Sequence, residues 1–558
     1  MQHKIRAGAA ALALAGFALF GGTAGAAVTS TDVQANNPQV SGAPTSNTTA
    51  VFPTNKQNEP TIAVNPMDSN YLIGGANDEQ RQPPCGPGPV RGNTIGSDCS
   101  FFPGVGTSAI YVSSDEGASW NNLGLLDDQA SWAGKGVISD GDPVIAYGPQ
   151  PDAQGRFSWA NGTRAYYSSL ATVLGVKGFE YIIVSWSDDN GHTWSAPVIG
   201  TSKTSSVDFN DKNWISVDTS PSSPYFGRVY LTWTEFRSAT ATGNGSEPIM
   251  VSVSKDGGLT FGAPKQLSPA GNNGTGNGRQ GSSSTVGPDG SVYVAFEQGS
   301  NQVLTISRDG GQKWTRPAVI GPVADIHDPI PGANFRTDSF PTIAADPRAR
   351  STAVYATWST RTAAGGRIVV ATSTDRGATW STPETVSGGE GYAFFQGLDV
   401  APTGRVDLAW QSLTTADGTR FGVGNASIST WASSKPAGGP WSAPKTVSTT
   451  NSDPAVSAQN NLQRQFWGDY NTLTSDAEGA WFIFTDSRTG SGCPAVDAYQ
   501  RFLVGSGAPL KGDMPDRIAR REAGVNPALS DPAEKPAPLA IGVCPAHFGD
   551  TDIRVVRF

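Results

Sequence analysis

The sequence predicts an all-β fold assembled from repeated units, and three observations support this prediction. The pattern S-x-D-x-G-x-x-W, with phenylalanine replacing tryptophan once, occurs at residues 113–120, 187–194, 254–261, 307–314 and 373–380. Short runs of β-type residues that end in turn residues fill the intervals, without a sustained helical period. Glycine and proline are abundant, with 67 and 40 among 558 residues, as expected for a protein with many turns.

Each residue type in the repeated pattern suits a tight hairpin turn. Ser and Asp side chains can bond turn amides, Gly adopts backbone conformations closed to other residues, and the aromatic ring packs beneath the turn. A sixth copy, residues 433–441, keeps the serine and the tryptophan but lacks the aspartate. We therefore interpret the aspartates of the pattern as structural turn residues, namely Asp115, Asp189, Asp256, Asp309 and Asp375.

The spacing of the repeats predicts a β-propeller. Successive aspartates of the pattern are 53 to 74 residues apart, which exceeds the roughly 40–50 residues of common propeller repeats, so each unit must carry an additional loop. Four short strands per unit fit a propeller blade, with the turns lying between its outer strands. Counting the first strand of each unit gives seven four-stranded blades; six blades, with the last unit folded into a shared closing blade, is the alternative.

The chain divides into four segments. Residues 1–26 resemble a secretory signal, with Lys4 and Arg6 before an apolar run and small residues at 24–26. Residues 27–54 are rich in Ser, Thr, Asn and Pro and are predicted to be a flexible mature N-terminus. Residues 55–505 form the predicted propeller. Residues 506–558 are predicted to be a surface strap that ends in a closing strand.

The charge and composition of the chain limit the classes of partner that it is expected to bind. The formal net charge is −9, or −11 without the two basic residues of the signal, which disfavours binding to nucleic acid and to anionic membranes. No segment beyond the signal resembles a membrane span. We expect a secreted, monomeric protein whose partner is an extracellular glycan or glycoprotein.

The four cysteines predict two disulfides in an exported chain. We prefer the pairs Cys85–Cys99 and Cys493–Cys544, although three connectivities are open. The spacings do not suit zinc, and neither a nucleophile elbow nor a phosphate-binding glycine loop is present. No cofactor or metal is expected; a structural calcium at acidic residues 140–142 would rest on composition alone.

Polar residues gather where a functional face is expected. In a propeller, the loops before the first strand and after the second strand of each blade open on the same face, and loops on a rigid scaffold commonly carry function. The residues before first strands are Glu59, Asp140, Asp142, Asp211, Lys212, Arg279, Arg336, Asp338, Gln396, Trp467, Asp469 and Tyr470. Those after second strands are Asp78, Glu79, Arg81, Glu235, Arg237, Glu297, Arg361, Gln411, Asp486 and Arg488.

These repeats on propeller-like strands resemble the Asp-box (BNR-repeat) proteins of the sialidase superfamily, over about residues 55–505. The resemblance implies an exo-α-sialidase-like glycoside hydrolase. Tyr470 would be its nucleophile, Glu235 the base of that tyrosine, and Asp78 the acid. Family arginines bind the substrate carboxylate by bidentate contacts, and the substrate-binding candidates here are Arg279, Arg336, Glu59, Asp142, Glu297 and Trp467.

The first blade departs from the family pattern. Where the family places an arginine, this chain reads Gln57-Asn58-Glu59-Pro60, so a carboxylate stands where a substrate carboxylate would be held. Three functions therefore stay open. They are a sialidase-like hydrolase, a hydrolase of a neutral or basic glycan that uses two carboxylates such as Asp78 with Glu235 or Glu297, and a non-catalytic propeller that binds glycan or protein.

Overall fold

The computed structural model describes residues 31–38, 55–81, 105–175, 180–201, 208–237, 245–270, 279–326, 333, 335–388, 391–416, 421–457, 465–494 and 545–558. The predicted signal, Cys85, Cys99, Cys544 and most of the predicted strap lie outside these residues. The described chain folds into seven antiparallel sheets, each made largely of consecutive strands. The first described strand, β1 (Val33–Gln34), belongs to the last of these sheets.

The first three blades occupy the chain up to residue 266. Blade 1 contains β2 (Gln57–Val64), β3 (Leu72–Asp78), β4 (Ser108–Ser113) and β5 (Asn121–Leu125). Blade 2 contains β6 (Val137–Ser139), β7 (Val144–Pro151), β8 (Phe157–Val173), β9 (Tyr181–Ser187) and β10 (Val198–Ile199), with β6 and β7 both paired to the long β8. Blade 3 contains β11 (Phe209–Val217), β12 (Val229–Phe236), β13 (Ile249–Ser254) and β14 (Lys265–Gln266).

The next three blades repeat the four-stranded order. Blade 4 contains β15 (Arg279–Val286), β16 (Val292–Gln298), β17 (Asn301–Ser307) and β18 (Ala318–Pro322). Blade 5 contains β19 (Thr342–Ala345), β20 (Val354–Thr362), β21 (Gly365–Ser373) and β22 (Glu384–Thr385). Blade 6 contains β23 (Tyr392–Val400), β24 (Val406–Thr415), β25 (Ala426–Lys435) and β26 (Lys445–Thr446). Helical structure in the described chain comprises three 3₁₀ turns, at Leu126–Asp128, Ala130–Trp132 and Pro454–Val456, and the helical residue Pro494.

Blade 7 is completed by both ends of the chain. Its order is β27 (Thr472–Ser475), β28 (Ala480–Asp486), β29 (Asp552–Arg557) and finally β1. The first strands of the seven blades, β2, β7, β11, β15, β19, β23 and β27, contact one another in a closed ring. The seven-bladed β-propeller predicted from the strand count is therefore confirmed, and the six-bladed alternative is wrong because β27, β28, β29 and β1 form a separate seventh sheet.

Hydroxyl side chains link neighbouring first strands around the ring. The Ile62 amide donates to Thr472 Oγ1 of blade 7 at 2.9 Å, and the Ile145 amide donates to Thr61 Oγ1 of blade 1 at 3.1 Å. In the same way, the Ile343 amide of blade 5 donates to Ser283 Oγ at 3.3 Å. These bonds satisfy buried backbone donors that have no ladder partner, because inner strands of adjacent blades do not form a sheet.

The repeated pattern forms the turn between the third and fourth strands of a blade. In blade 1, Asp115 Oδ1 accepts hydrogen bonds from Ser113 Oγ at 2.8 Å and from the Ser119 amide at 2.9 Å. Ser113 Oγ in turn accepts the Gly117 amide at 2.9 Å. The same bonds recur at Asp189, Asp256 and Asp375. The hydrogen bonds from Thr379 and Ser373 lower the pKa of Asp375 to about 2.

The aromatic residue of each turn packs against the preceding blade. Trp194 of blade 2 is buried among Ile73 and Ile110 of blade 1, and Trp314 of blade 4 packs on Ile249 and Val251 of blade 3. The glycine of the turn allows this close approach, because a Cβ at Gly191 would lie 3.0 Å from Ile73 Cδ1. The repeated turns therefore fasten each of blades 1 to 6 to the blade before it in the ring, whereas blade 7 carries no copy of the turn.

A buried ion-pair cluster fastens the N-terminal strand. Asp32, whose side chain is fully buried, contacts Arg488 at 2.8 Å and Arg554 at 3.0 Å, and it accepts the Thr449 amide at 2.6 Å. Burial opposes the charged form of Asp32, but the bonds from Thr449 and Arg488 prevail and lower its pKa. One carboxylate thus joins β1 to the rest of blade 7 and to the chain that follows β26.

We predict that Asp32→Ala destabilises the protein by about 3 kcal/mol, the lower end for a broken buried ion pair, because Asp486 alone then compensates Arg488 and Arg554. The measurement is the denaturation midpoint in urea, compared with that of Asp152→Ala. Asp152 forms a surface ion pair with the exposed Arg156, so its loss should change the midpoint little. Equal effects of the two substitutions would contradict the role assigned to Asp32.

Candidate functional site

One residue from each blade occupies an equivalent position on or just before the first strand, three residues before Ile62, Ile145, Ile215, Ser284, Ile343, Leu398 or Leu473. These seven residues, here called the central ring, are Glu59, Asp142, Lys212, Gly281, Phe340, Phe395 and Tyr470. Five of them have left-handed backbone conformations, with φ of 54° at Glu59, 49° at Asp142, 54° at Lys212, 68° at Gly281 and 52° at Phe395.

Four of the five left-handed residues, all except Asp142, lie at a bulge in the strand pairing. The register of β2 against β3 shifts between Asn58 and Thr61, and that of β11 against β12 shifts between Asp211 and Trp214. Left-handed conformations are costly for residues with a Cβ, and such strain is concentrated at functional sites. Only glycine adopts this conformation freely, yet three of the five positions carry ionisable side chains.

Charged side chains from the ring and its neighbours form one buried cluster. We call it the central cluster; it comprises Glu59, Asp142, Asp211, Lys212, Arg336, Asp469 and Tyr470. Lys212 Nζ lies 2.6 Å from Asp469 Oδ2 and 3.7 Å from Glu59 Oε1. Arg336 repeats this arrangement, with Nε 2.8 Å from Asp469 Oδ1 and a terminal nitrogen 3.8 Å from Glu59 Oε1. Four acids therefore surround two cations.

The contacts of both cations with Asp469 are ion pairs by distance, although the angles at Lys212 Nζ and Arg336 Nε fall outside those of a hydrogen bond. Glu59, Lys212 and Asp469 are between 3% and 6% exposed. Bulk water therefore screens these charges little, and they interact more strongly than they would at a surface.

Aromatic rings cover the two cations. The Lys212 ammonium lies 4.8 Å from the ring centre of Tyr470 and 5.4 Å from that of Phe340. The Arg336 guanidinium lies 4.9 Å from the ring centre of Phe466. Cations are attracted to aromatic faces, so the rings hold both side chains in place without neutralising them.

Asn77, at the end of the second strand of blade 1, orients two of the acids. Its Nδ2 donates to Glu59 Oε2 at 2.8 Å, and its Oδ1 accepts the Asp142 amide at 2.8 Å. The same Nδ2 also contacts Asn58 Oδ1 at 3.0 Å. A single amide therefore fixes the Glu59 carboxyl relative to the backbone of blade 2.

The acids of the cluster differ in their tendency to ionise. Burial raises the pKa of Glu59 well above its usual range, and the neighbouring Asp142 charge raises it further. Burial also raises the pKa of Asp142 and of Asp211, while the charge of Lys212 opposes the rise in both. Burial therefore favours the protonated form of Glu59.

A proton on Glu59 resolves a hydrogen-bonding problem at Asp142. With every carboxyl ionised, Asp142 Oδ2 has no hydrogen-bond donor among the described residues. The protonated Glu59 carboxyl supplies that donor, and it forms the side-chain hydrogen bond between the two acids. The two carboxyls therefore share one proton, which favours Glu59.

The basic and phenolic groups stay protonated. Burial disfavours the charged form of Lys212, but Asp469, Glu59, Asp142 and Asp211 prevail and raise its pKa. Burial and the nearby acids raise the pKa of Tyr470 well above its usual value. The Tyr470 hydroxyl donates to the Pro143 carbonyl at 3.2 Å.

Of the residues assigned roles from the sequence, the structure brings Glu59, Asp142, Arg336 and Tyr470 together. Asp78 lies elsewhere, in a buried polar group in which it accepts from Gln57 Nε2 at 3.0 Å and from the Gln80 amide at 3.0 Å. Burial raises the pKa of Asp78.

The other assigned residues occupy different surroundings. Glu235 forms an ion pair with Arg237 at 2.9 Å. Trp467 is fully buried among phenylalanines, and its indole donates to Gln411 Oε1 at 2.8 Å. In the backbone ladder of blade 4, Glu297 pairs with Gln280 and Arg279 pairs with Gln298. Their sequence-derived roles stay predictions.

Three residues of the site were expected at this face without a specific role, namely Asp211, Lys212 and Asp469. The available signal was their position in the sequence. Asp211 and Lys212 stand four and three residues before Ile215, and Asp469 stands four residues before Leu473. Asn77 was missed altogether, because an amide inside the strand LIGGAND reads as an ordinary strand residue.

Of the four cysteines, only Cys493 lies among the described residues. Cys493 is buried and disulfide-bonded, while the other three cysteines lie outside the described residues, so the preferred pairing stays a prediction. In the described ranges, no group of three or more His, Cys, Asp or Glu side chains is arranged to hold a metal ion. Nor does that part of the chain contain a helix long and apolar enough to cross a membrane.

Comparison with known proteins finds similarity among solved structures. No protein-family model matches the chain, and no curated protein matches it. The intramolecular trans-sialidase from Ruminococcus gnavus is 14% identical over 67% of this chain and 92% of that chain, with a TM-score of 0.38. The alpha-L-arabinanase from Penicillium chrysogenum is 14% identical over 72% and 98%, with a TM-score of 0.41.

A Hadza microbial sialidase is also 14% identical, over 68% of this chain and 71% of that chain, with a TM-score of 0.36. At these levels of identity and TM-score, no residue role or substrate can be carried over to this chain.

We predict that Glu59→Gln makes the stability of the folded protein less sensitive to rising pH. An acid whose pKa is higher in the folded state than in the unfolded state stabilises the fold at low pH, and this contribution is lost as pH rises through the folded pKa. Glutamine keeps an oxygen for Asn77 and a donor for Asp142 but does not titrate. Between pH 5 and 8, its denaturation midpoint should therefore fall less than that of the wild type.

The control for this experiment is Glu384→Gln, because Glu384 is exposed on β22. Each unit of pKa shift corresponds to about 1.4 kcal/mol, so the difference should be readily measured. Parallel pH profiles for the wild type and Glu59→Gln would show that Glu59 is ionised throughout.

Proposed function

We propose that this protein is a glycoside hydrolase whose chemistry takes place at the central cluster. The observation that carries the proposal is the division between Glu59, which burial and Asp142 keep protonated, and Asp469, which contacts two cations at 2.6 and 2.8 Å. A protonated and an ionised carboxyl in one site supply the acid and the counter-charge that glycosidic cleavage requires.

The proposed reaction balances within the cluster. Glu59 gives its proton to the glycosidic oxygen as the bond from that oxygen to the anomeric carbon breaks. The Asp469 carboxylate stabilises the positive charge that develops on the sugar ring. Water then adds to the anomeric carbon, and its released proton passes to Asp142, which shares a hydrogen bond with Glu59 and so restores the starting state.

We propose a neutral or basic glycan as the substrate. The cluster contains four acidic and two basic side chains, and both basic side chains are already paired with acids. An anionic sugar would have to displace Asp469 from Arg336 and would meet the remaining acids. Coulomb repulsion in a site of low dielectric constant makes that arrangement costly.

The sialidase-like alternative places the chemistry at Tyr470, with Glu235 as base, Asp78 as acid and Arg336 on the substrate carboxylate. A tyrosine nucleophile needs a base that removes its proton. Here the hydroxyl donates to the Pro143 carbonyl and its pKa is raised, while Glu235 pairs with Arg237. These contacts favour the carboxylate mechanism.

We predict that the mature protein hydrolyses at least one glycoside in a panel of neutral furanosides, neutral pyranosides, amino sugars and an α-sialoside. Glu59→Gln and Asp469→Asn should each reduce kcat by about 10²–10⁴-fold, the usual contribution of acid–base groups. Glu235→Gln should change the rate little, because its carboxyl pairs with Arg237. The measurement is release of a fluorogenic aglycone.

Two outcomes would contradict this assignment. Turnover of the α-sialoside that is abolished by Tyr470→Phe would establish the sialidase-like mechanism instead. Absence of turnover on every glycoside, together with binding on a glycan array, would indicate a non-catalytic propeller.

We further propose that the protein is exported, with residues 1–26 removed. The signal-like composition of that segment and the disulfide-bonded state of Cys493 support this. Expression of the full chain should yield a secreted protein that begins near residue 27 and contains no free thiol, as determined by N-terminal sequencing and thiol titration. Retention inside the cell with an intact N-terminus would contradict it.

A further inference from the structure

We propose that Lys212 is the positioning residue that decides where the proton of the central cluster resides. Its ammonium holds Asp469 as a carboxylate and leaves the proton on Glu59. The catalytic meaning of this inference rests on the proposed hydrolase function, whereas the control of protonation does not.

The geometry around Lys212 is asymmetric. Its Nζ lies 2.6 Å from Asp469 but 3.7 Å from Glu59, and an opposite charge favours the ionised form of a carboxyl more strongly the closer it lies. Arg336 reinforces the same choice, with distances of 2.8 Å and 3.8 Å to the two acids. Both cations therefore stabilise a negative charge on Asp469 in preference to Glu59.

The ammonium cannot easily move to even out these distances. The Lys212 backbone is left-handed, its side chain is only 6% exposed, and its ammonium faces the rings of Phe340 and Tyr470. Phe340 is itself confined, because a Cβ at Gly281 would lie 2.2 Å from Phe340 Cδ1. Gly281, the member of the central ring that lacks a side chain, thus leaves room for the aromatic ring of Phe340, which covers the Lys212 ammonium.

Lys212 is also the cation that acts on every acid of the cluster. The ionisable groups that face it come from five blades and comprise Glu59, Asp142, Asp211, Arg336, Asp469 and Tyr470. Among the charges that oppose the raised pKa of Asp142 and of Asp211, that of Lys212 is the largest. Without it, burial would favour a second proton in the cluster.

The test compares Lys212→Met, which removes the charge, with Lys212→Arg, which keeps it. In Lys212→Met, the limb of the pH–rate profile that reports the ionised carboxyl should move up by about one pH unit or more, as expected on loss of a nearby opposite charge. Lys212→Arg and the surface control Lys445→Met should leave that limb in place.

A second readout does not depend on activity. Loss of the lysine charge raises the pKa of the folded carboxyls, so the denaturation midpoint of Lys212→Met should fall more steeply between pH 5 and 8 than that of the wild type. Lys212→Arg should follow the wild type. If Lys212→Met does not fold, Lys212→Gln, which keeps a hydrogen-bond donor without the charge, takes its place.

The outcomes separate the two proposals. Absence of hydrolysis by the wild type would overturn the hydrolase function, and the pH dependence of unfolding would still decide the role of Lys212. Identical pH dependence in the charge-removing and charge-keeping variants would overturn the role of Lys212 even if the wild type is an active hydrolase.

Discussion

Ionisable groups are buried where the seven blades converge, and the surrounding structure must compensate the cost of burying their charges. Four acids, a lysine and an arginine occupy this region, and their desolvation would be prohibitive if each were charged and isolated. Ion pairs to Lys212 and Arg336 compensate the desolvation of Asp469. A shared proton lowers the cost of burying Glu59 and Asp142 together. Replacing such a cluster by apolar side chains commonly stabilises a protein, so stability alone does not explain these residues.

The propeller supplies the rigidity that this arrangement requires. Hydroxyl side chains link adjacent inner strands, the repeated turns fasten each of blades 1 to 6 to the blade before it, and Asp32 fastens the N-terminal strand to the closing blade. Because the ring is closed at every interface, the left-handed residues at its centre keep their conformations despite the strain. The scaffold thus supports charges and backbone angles that a looser fold would relax.

The sequence predicted the fold more completely than the site. Five copies of one turn motif and a count of first strands were enough for seven four-stranded blades, because those signals are local. Glu59, Asp142, Arg336 and Tyr470 could be placed on the right face for the same reason. The contacts among these four residues could not be predicted, because such contacts depend on the number of blades and on which side chains reach the propeller axis. Asp78 illustrates the limit, since it stands at a strand end like its neighbours but accepts bonds from Gln57 and Gln80.

The proposed chemistry requires that Glu59 carries a proton at neutral pH while Asp469 does not. The most direct measurement is an infrared difference spectrum at pH 7 between the wild type and Glu59→Gln. We expect a carbonyl stretching band of a protonated carboxyl in the wild type that disappears in Glu59→Gln and persists in Glu384→Gln. A difference spectrum that contains only carboxylate bands would show that Glu59 is ionised and would contradict the proposed chemistry.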